Sequence, residues 1–165
     1  MSAFKLSSPT VKPDSTLPPE HVFDGFGCTG KNISPALSWS GAPAGTRSFA
    51  VTVYDPDAPT QSGWWHWLVW NIPATATQLP QGAGAPSGQH LPAGAVQGRN
   101  DFGALGFGGA APPPGPPHRY IFTVHALGVE KLEATPDSSA ALISFTINAN
   151  RLAQASITAT YGRRP

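Results

Sequence analysis

Trp65-His-Trp-Leu-Val-Trp-Asn-Ile72 is apolar at positions pointing to both faces of an extended chain. Successive side chains of a strand point to opposite sides, so this pattern calls for a strand covered by a layer above and a layer below. To its N-terminal side, Ser48-Phe-Ala-Val-Thr-Val-Tyr54 alternates, with Phe49, Val51 and Val53 on one face. To its C-terminal side, Arg119-Tyr-Ile-Phe-Thr-Val-His-Ala-Leu127 carries Tyr120, Phe122 and Val124 on one side. Strands dominate, and the fold class is mainly β. One helix is predicted late in the chain. Pro136-Asp137 supplies a start, with Asp137 able to accept from free backbone N–H groups. Ala141, Leu142, Phe145 and Ala149 fall on one face at helical spacing, and the helix ends near Asn150. Leu152 to Tyr161 reads as an extension of that helix or as a final strand, with Ile157, Ala159 and Tyr161 alternating with Thr158 and Thr160.

The 165 residues include 19 Pro and 18 Gly, well above average usage of about 12% for the two together. Disorder would also require a high net charge, whereas this chain carries +1 and has five Trp, eight Phe and three Tyr. An ordered, loop-rich single domain spanning 1–165 is expected, because its length suits one core. No apolar run approaches the ~20 residues that span a bilayer, so no transmembrane segment is expected. The start, Met1 to Pro9, lacks a signal-peptide pattern, and a cytoplasmic setting is expected. The single Cys28 excludes an internal disulfide framework and a multi-thiolate metal site. Near-neutral charge argues against a nucleic-acid partner, which would bring a basic stripe. Of the long connections, 80–99 reads as mobile. Residues 106–117, Gly-Phe-Gly-Gly-Ala-Ala-Pro-Pro-Pro-Gly-Pro-Pro, are stiffened by proline and suited to wall a cavity.

Three constellations invite a chemical reading. Gly25-Phe-Gly-Cys-Thr-Gly30 fits the dinucleotide pattern G-x-G-x-x-G, but the following Lys31-Asn-Ile-Ser-Pro35 has no helical period, so a glycine-rich turn is the reading. The histidines at 21, 66, 90, 118 and 125 form no pair at metal-ligand spacing, and no metal or cofactor is expected. His21 and His90 fall in loops, and His125 inside a strand is a half-buried core residue. The third constellation is the strand ends. Tyr54-Asp-Pro-Asp-Ala-Pro59 closes one strand, Gly63-Trp-Trp-His66 opens the next, and His118-Arg119 opens another. If the first two strands form a hairpin, Asp55, Asp57, His66, His118 and Arg119 gather at one rim, with Trp64, Trp65 and Tyr120 as its sides. Imidazole and guanidinium N–H groups there would donate to a small anion, and a carboxylate would set an imidazole's protonation. Set against this, Asp-Pro-Asp is good turn chemistry in itself, and a Trp-flanked His serves equally as a core residue.

Cys28-Thr-Gly-Lys-Asn-Ile-Ser-Pro-Ala-Leu-Ser-Trp39, Asp55-Pro-Asp-Ala-Pro59, Trp64 to Asn71, Asn100-Asp-Phe-Gly103, Gly106 to Gly109, Pro117-His-Arg-Tyr120 and Tyr161-Gly-Arg163 occur in this order. On these pieces the chain resembles the phosphatidylethanolamine-binding protein (PEBP) family, also called Raf kinase inhibitor-like proteins, in its short bacterial branch. The resemblance implies a PEBP-like β-sandwich with an anion pocket at one end, formed here by Asp55, His66, His118 and Tyr120 with Trp64 and Pro112 as walls. It leaves Asp57 to orient the loop or face the ligand, and Arg119 to contact the ligand or pair with a carboxylate. Ala36 and Ala110-Ala111 depart from the proline or cysteine expected in the wall. Without the C-terminal extension of animal members, the site is expected to be more open.

The function these readings imply is non-enzymatic binding of a small anion, such as phosphate or a phosphoethanolamine-type headgroup. Asp55 would pair with an imidazole or with the ligand's ammonium group. The alternative is a protein-interaction module inhibiting a kinase or protease. A hydrolase using His66 or His118 as general base is the third reading, weakened because no Ser lies in a strand–turn–helix elbow. The bacterial resemblance also implies a homodimer.

Overall fold

The computed structural model describes residues 3–164. Ten strands are arranged in three sheets. The largest contains β5 (Ser48–Asp55), β6 (Trp64–Pro73), β8 (Val96–Gln97), β9 (His118–Leu127) and β10 (Arg151–Tyr161), in the order β10-β9-β5-β6-β8, with every neighbour antiparallel. Facing it is a smaller sheet of β1 (Lys5–Ser7), β4 (Leu37–Ser40) and β7 (Gln78–Leu79), in the order β1-β4-β7. A two-residue hairpin pairs β2 (Asp24–Gly25) with β3 (Cys28–Thr29).

The large sheet is covered on both faces. Phe49, Val51, Val53, Trp67, Val69, Phe122 and Val124 share one core with Leu37, Trp39 and Leu79 of the smaller sheet. Ala50, Leu68, Trp70 and Leu127 point the other way, to Leu132 and to Ile143 and Ile147 of the α-helix α1 (Ala140–Asn150). The two-faced apolarity of Trp65–Ile72 follows from this, because β6 lies inside both cores.

The helix differs from expectation at its start and in its buried face. Ser139 is the cap, its Oγ accepting from Leu142 N at 3.1 Å, while Asp137 is the partner of Arg99 at 3.2 Å. Ile143 and Ile147 are buried, whereas Leu142 and Phe145 are 46% and 70% exposed. Apolar residues surround this helix, so periodicity alone does not choose a face. The β-branched pair at i and i+4 fits the sheet. After Asn150 the chain turns directly into β10, which makes 151–161 a strand.

Residues 80–99, expected to be mobile, are fastened to the core. Gly84 N donates to Ser34 Oγ at 2.8 Å, Ala83 is fully buried, and Gln97 links Trp67 Nε1 to the carbonyl of Ala85. His21, expected in a loop, is also fully buried. Its Nδ1 donates to Ile33 O at 2.6 Å and its Nε2 meets Thr10 Oγ1 at 2.8 Å. Among the described residues, no helix is long and apolar enough to cross a membrane.

His125 is buried on the helix side of the sheet, with Nε2 2.9 Å from Thr52 Oγ1 and Nδ1 unpartnered. Burial pushes its pKa down to about 3, with a smaller contribution from Arg151. Such a group binds protons in the unfolded chain before it does so in the folded one. Its stabilising effect is therefore complete above about pH 6.5 and is lost as the pH falls below that. Between pH 6 and 5, His125 is expected to cost roughly 1 kcal/mol of stability. Urea midpoints measured across this window should fall less steeply in His125→Gln than in the native chain.

Candidate functional site

β5 ends at Asp55, and its neighbours β6 and β9 both begin there: Asp55 pairs with Trp64, and Tyr54 with Ile121. The Asp-Pro-Asp turn explains why Asp55 is held so firmly. Its Oδ1 accepts the backbone N–H of Asp57 at 2.8 Å, the local bond typical of Asx turns. Oδ2 then accepts Nδ1–H of His118 across the strand gap at 2.7 Å. Both groups are nearly buried, at 3% and 9% exposure.

His66 reaches the same end through a bulge. Val53 pairs with Trp67 and Tyr54 with Trp65, leaving His66 between them without a partner on β5. A bulge of this kind interrupts the alternation and re-aims a side chain. His66 thereby joins the face that carries Trp67, packing edge-on to Tyr120 at 5.2 Å. Its Nδ1 donates to the carbonyl of Gly108 at 2.8 Å, and Gly108 N donates back to His66 O at 2.8 Å. On its other side the same segment lies against residues 21–23, which it can do because Gly109 lacks a side chain; a Cβ there would stand 2.4 Å from His21 O. Burial lowers the His66 pKa to about 4, against a raising contribution from the Gly108 bond. The ring is therefore neutral near pH 7. With its proton on Nδ1, Nε2 presents a lone pair.

Tyr120 completes the floor. Its hydroxyl is buried without a protein partner. Burial first, and the Asp55 charge second, keep the phenol protonated far above its usual range. Above the floor lies a cavity of about 240 Å³, walled by Trp64, Phe26, Phe102, Pro59, Pro112 and Pro113. The Asn100–Gly103 turn positions Phe102. Asn100 Oδ1 accepts from Phe102 N at 2.9 Å, and Asp101 Oδ2 accepts from Trp65 N at 2.7 Å beside the bulge.

Of the residues expected at the rim, Asp55, Trp64, His66, Pro112, His118 and Tyr120 line this cavity. Asp57 and Arg119 do not; they face each other instead. Arg119 Nε and Nη2 donate to the two oxygens of Asp57 at 3.0 and 2.9 Å, and Arg119 N adds a third bond at 2.9 Å. The Arg119 bonds hold the Asp57 carboxyl down at about 2. Two donors matched to two acceptors form a bidentate staple between the loop and β9. Trp65 also lies apart from the cavity, packing against Tyr54 with ring centroids 4.3 Å apart on the other face. Phe26 and Phe102 were not anticipated. The only signal for them was a Phe set within each of two turn sequences, Gly-Phe-Gly and Asn-Asp-Phe-Gly. The first of these is the turn of the β2–β3 hairpin, with Phe26 and Gly27 at φ +50° and +84°, as a type I′ turn requires. Among the described residues, no three His, Cys, Asp or Glu side chains cluster as metal ligands would.

The phosphatidylethanolamine-binding protein family model matches residues 7–162. The chain belongs to that family. The UPF0098 protein YbcL of Escherichia coli K12 is 59% identical over 161 residues, covering 97% of this chain and 88% of that one. YbhB of the same organism is 52% identical over 157 residues, covering 95% and 99%. The crystal structure of E. coli YbcL superposes with a TM-score of 0.97, covering 99% of this chain and 100% of that chain. The PEBP homologue CT736 of Chlamydia trachomatis gives 0.80 at 28% identity, covering 99% of each chain. The names of these PEBP relatives include no enzyme activity. Membership accounts for the sandwich and for the order of the motifs.

The His66 geometry is directly testable. Ring ¹⁵N NMR should show the Nδ1–H tautomer from pH 6 to 8, with protonation near pH 4. A midpoint near 6.5 would overturn the assignment.

Proposed function

We propose that this chain is a non-enzymatic binding protein that takes a small phosphate-type oxyanion into the cavity between β5, β6 and β9. The observation that supports this most is the Tyr120 hydroxyl, a buried donor that no protein group satisfies. Buried polar groups are normally paired, and this one stands beside His66, at the end of the sheet where His118 also opens. A ligand oxygen would satisfy it. The family's name points to phosphoethanolamine as a suitable probe.

The ligand arrives with a proton. No lysine or arginine is among the described residues lining the cavity, while the Asp55 carboxylate lies at its base. The neutral His66 offers Nε2 as an acceptor, so a P–OH group of the ligand donates to it. This revises the expectation that both imidazoles donate. His118 also lines the cavity, and with its Nδ1 engaged by Asp55 it is left with Nε2 for the ligand. Asp55 already accepts from His118 and from Asp57 N, so it serves the imidazole rather than a ligand ammonium group.

A binding role also suits the hydroxyl inventory. Thr60 is the only aliphatic hydroxyl among the described lining residues, and it donates to Gly63 O at 2.6 Å instead of to an imidazole. Nucleophilic catalysis needs a nucleophile hydrogen-bonded to its base.

Calorimetric titration with phosphoethanolamine tests this reading. Affinity should fall about tenfold per pH unit above the second phosphate pKa, near 6. His118→Ala should weaken binding by at least about tenfold, the scale of a lost hydrogen bond to a charged group. Affinity that stays flat from pH 5 to 9, or binding that survives the substitution, would overturn it.

A further inference from the structure

Phe26 occupies an unfavourable place for a phenylalanine. It sits at the first turn position of the β2–β3 hairpin with φ +50°, a conformation that favours Asn, Asp or Gly. It is also 67% exposed. A large ring left mostly in water on a strained backbone lowers stability twice over, offset within the hairpin only by its contact with Phe23, with centroids 5.6 Å apart and 18° between the planes.

Its neighbours suggest what the ring is for. Phe26 lies nearly parallel to Phe102, with centroids 5.6 Å apart and 20° between the planes. Phe102 stacks on Phe23 at 4.1 Å and 3°. Trp64 and His66 meet Phe102 edge-on at 5.2 and 5.6 Å. The aromatic surface therefore runs without a break from the exposed hairpin tip to an imidazole of the polar floor. Pro112 and Pro113, rigid and apolar, also line the cavity. The hairpin is tied to this proline segment through Arg163, whose guanidinium packs against Gly27 and donates from Nε to Pro112 O at 2.8 Å. The mouth is thus framed by stiff, flat groups. A flexible chain gains little from such walls, whereas a planar group stacks on them with small loss of freedom.

We infer that the preferred ligand carries a flat aromatic group directly attached to its oxyanion, as in a small aryl phosphate, and that Phe26 is the residue selecting it. The inference rests on the anion-site reading above and narrows its ligand class. The oxyanion sits at the Tyr120–His66 floor, and the attached ring lies along Phe102 and Phe26. Since no lysine or arginine is among the described residues lining the cavity, the apolar contact supplies affinity that Coulomb attraction would provide elsewhere.

Titration with phenyl phosphate, n-butyl phosphate and phosphoethanolamine at one pH, near 6, separates the cases. Phenyl phosphate should bind about tenfold or more tightly than n-butyl phosphate, a difference within reach of one stacked ring. Equal affinities for phenyl and butyl phosphate would overturn the inference in favour of a flexible acyl group, while leaving the anion site standing. No binding of any of the three would instead remove the anion-site reading on which it rests. The decisive variant is Phe26→Asn, which suits the turn and removes the ring. It should raise the thermal midpoint and bring the phenyl-to-butyl ratio close to one. A ratio unchanged in Phe26→Asn would overturn the role given to Phe26.

Discussion

The bond from His118 Nδ1 to Asp55 Oδ2 joins β5 to β9 at the place where the central strand of the large sheet runs out. β5 has β9 on one side and β6 on the other, each antiparallel to it. The last residue of β5 therefore meets the first residues of both others. A carboxylate there is drawn into an interior that disfavours an unpaired charge. Asp55 persists because its two oxygens are engaged, one by its own turn and one by the imidazole. The Asp57–Arg119 staple closes the same junction from outside.

Pairing at this junction determines the chemistry available to a ligand. Asp55 is engaged by His118, Asp57 holds Arg119 away from the cavity, and the Gly108 carbonyl accepts from Nδ1–H of His66. The remaining groups are a phenol and imidazole nitrogens, with aromatic rings and prolines around them. On the proposed reading such a site would select by protonation and shape more than by charge, since no lysine or arginine is among the described residues lining it. A basic pocket would attract any dianion; on the reading proposed above, this one would instead discriminate among the forms a single anion can take.

Part of this was legible from local pattern. The strands at 48–55, 65–72 and 119–127 show themselves because period-two alternation and two-sided apolarity follow directly from strand geometry. Asp55, His66 and His118 stand at strand ends, so their gathering required only that the three strands be neighbours. Asp57 and Arg119 looked equally suited to the pocket. Whether a carboxylate and a guanidinium face a ligand or each other depends on side-chain direction across 62 residues of separation. Phe26 and Phe102 were missed for the same reason: a Phe in a glycine-rich turn has no local signature of function. The helix face was misjudged because its apolar residues surround it, and only the sheet below chooses among them.

The sequence by itself determined the mainly β class, the covered central strand, the proline-stiffened wall and the set of polar groups available at the strand ends. These depend on backbone geometry and on contacts close along the chain, which residue order encodes directly. Only the tertiary structure decided how those groups pair and where they point. The bulge turns His66 inward, Gly108 sets its tautomer, and the staple removes Arg119 from the cavity. The β2–β3 hairpin brings an exposed ring to its mouth. Each of these outcomes comes from packing between segments distant in sequence, where small changes in register or rotamer reverse the direction of a side chain.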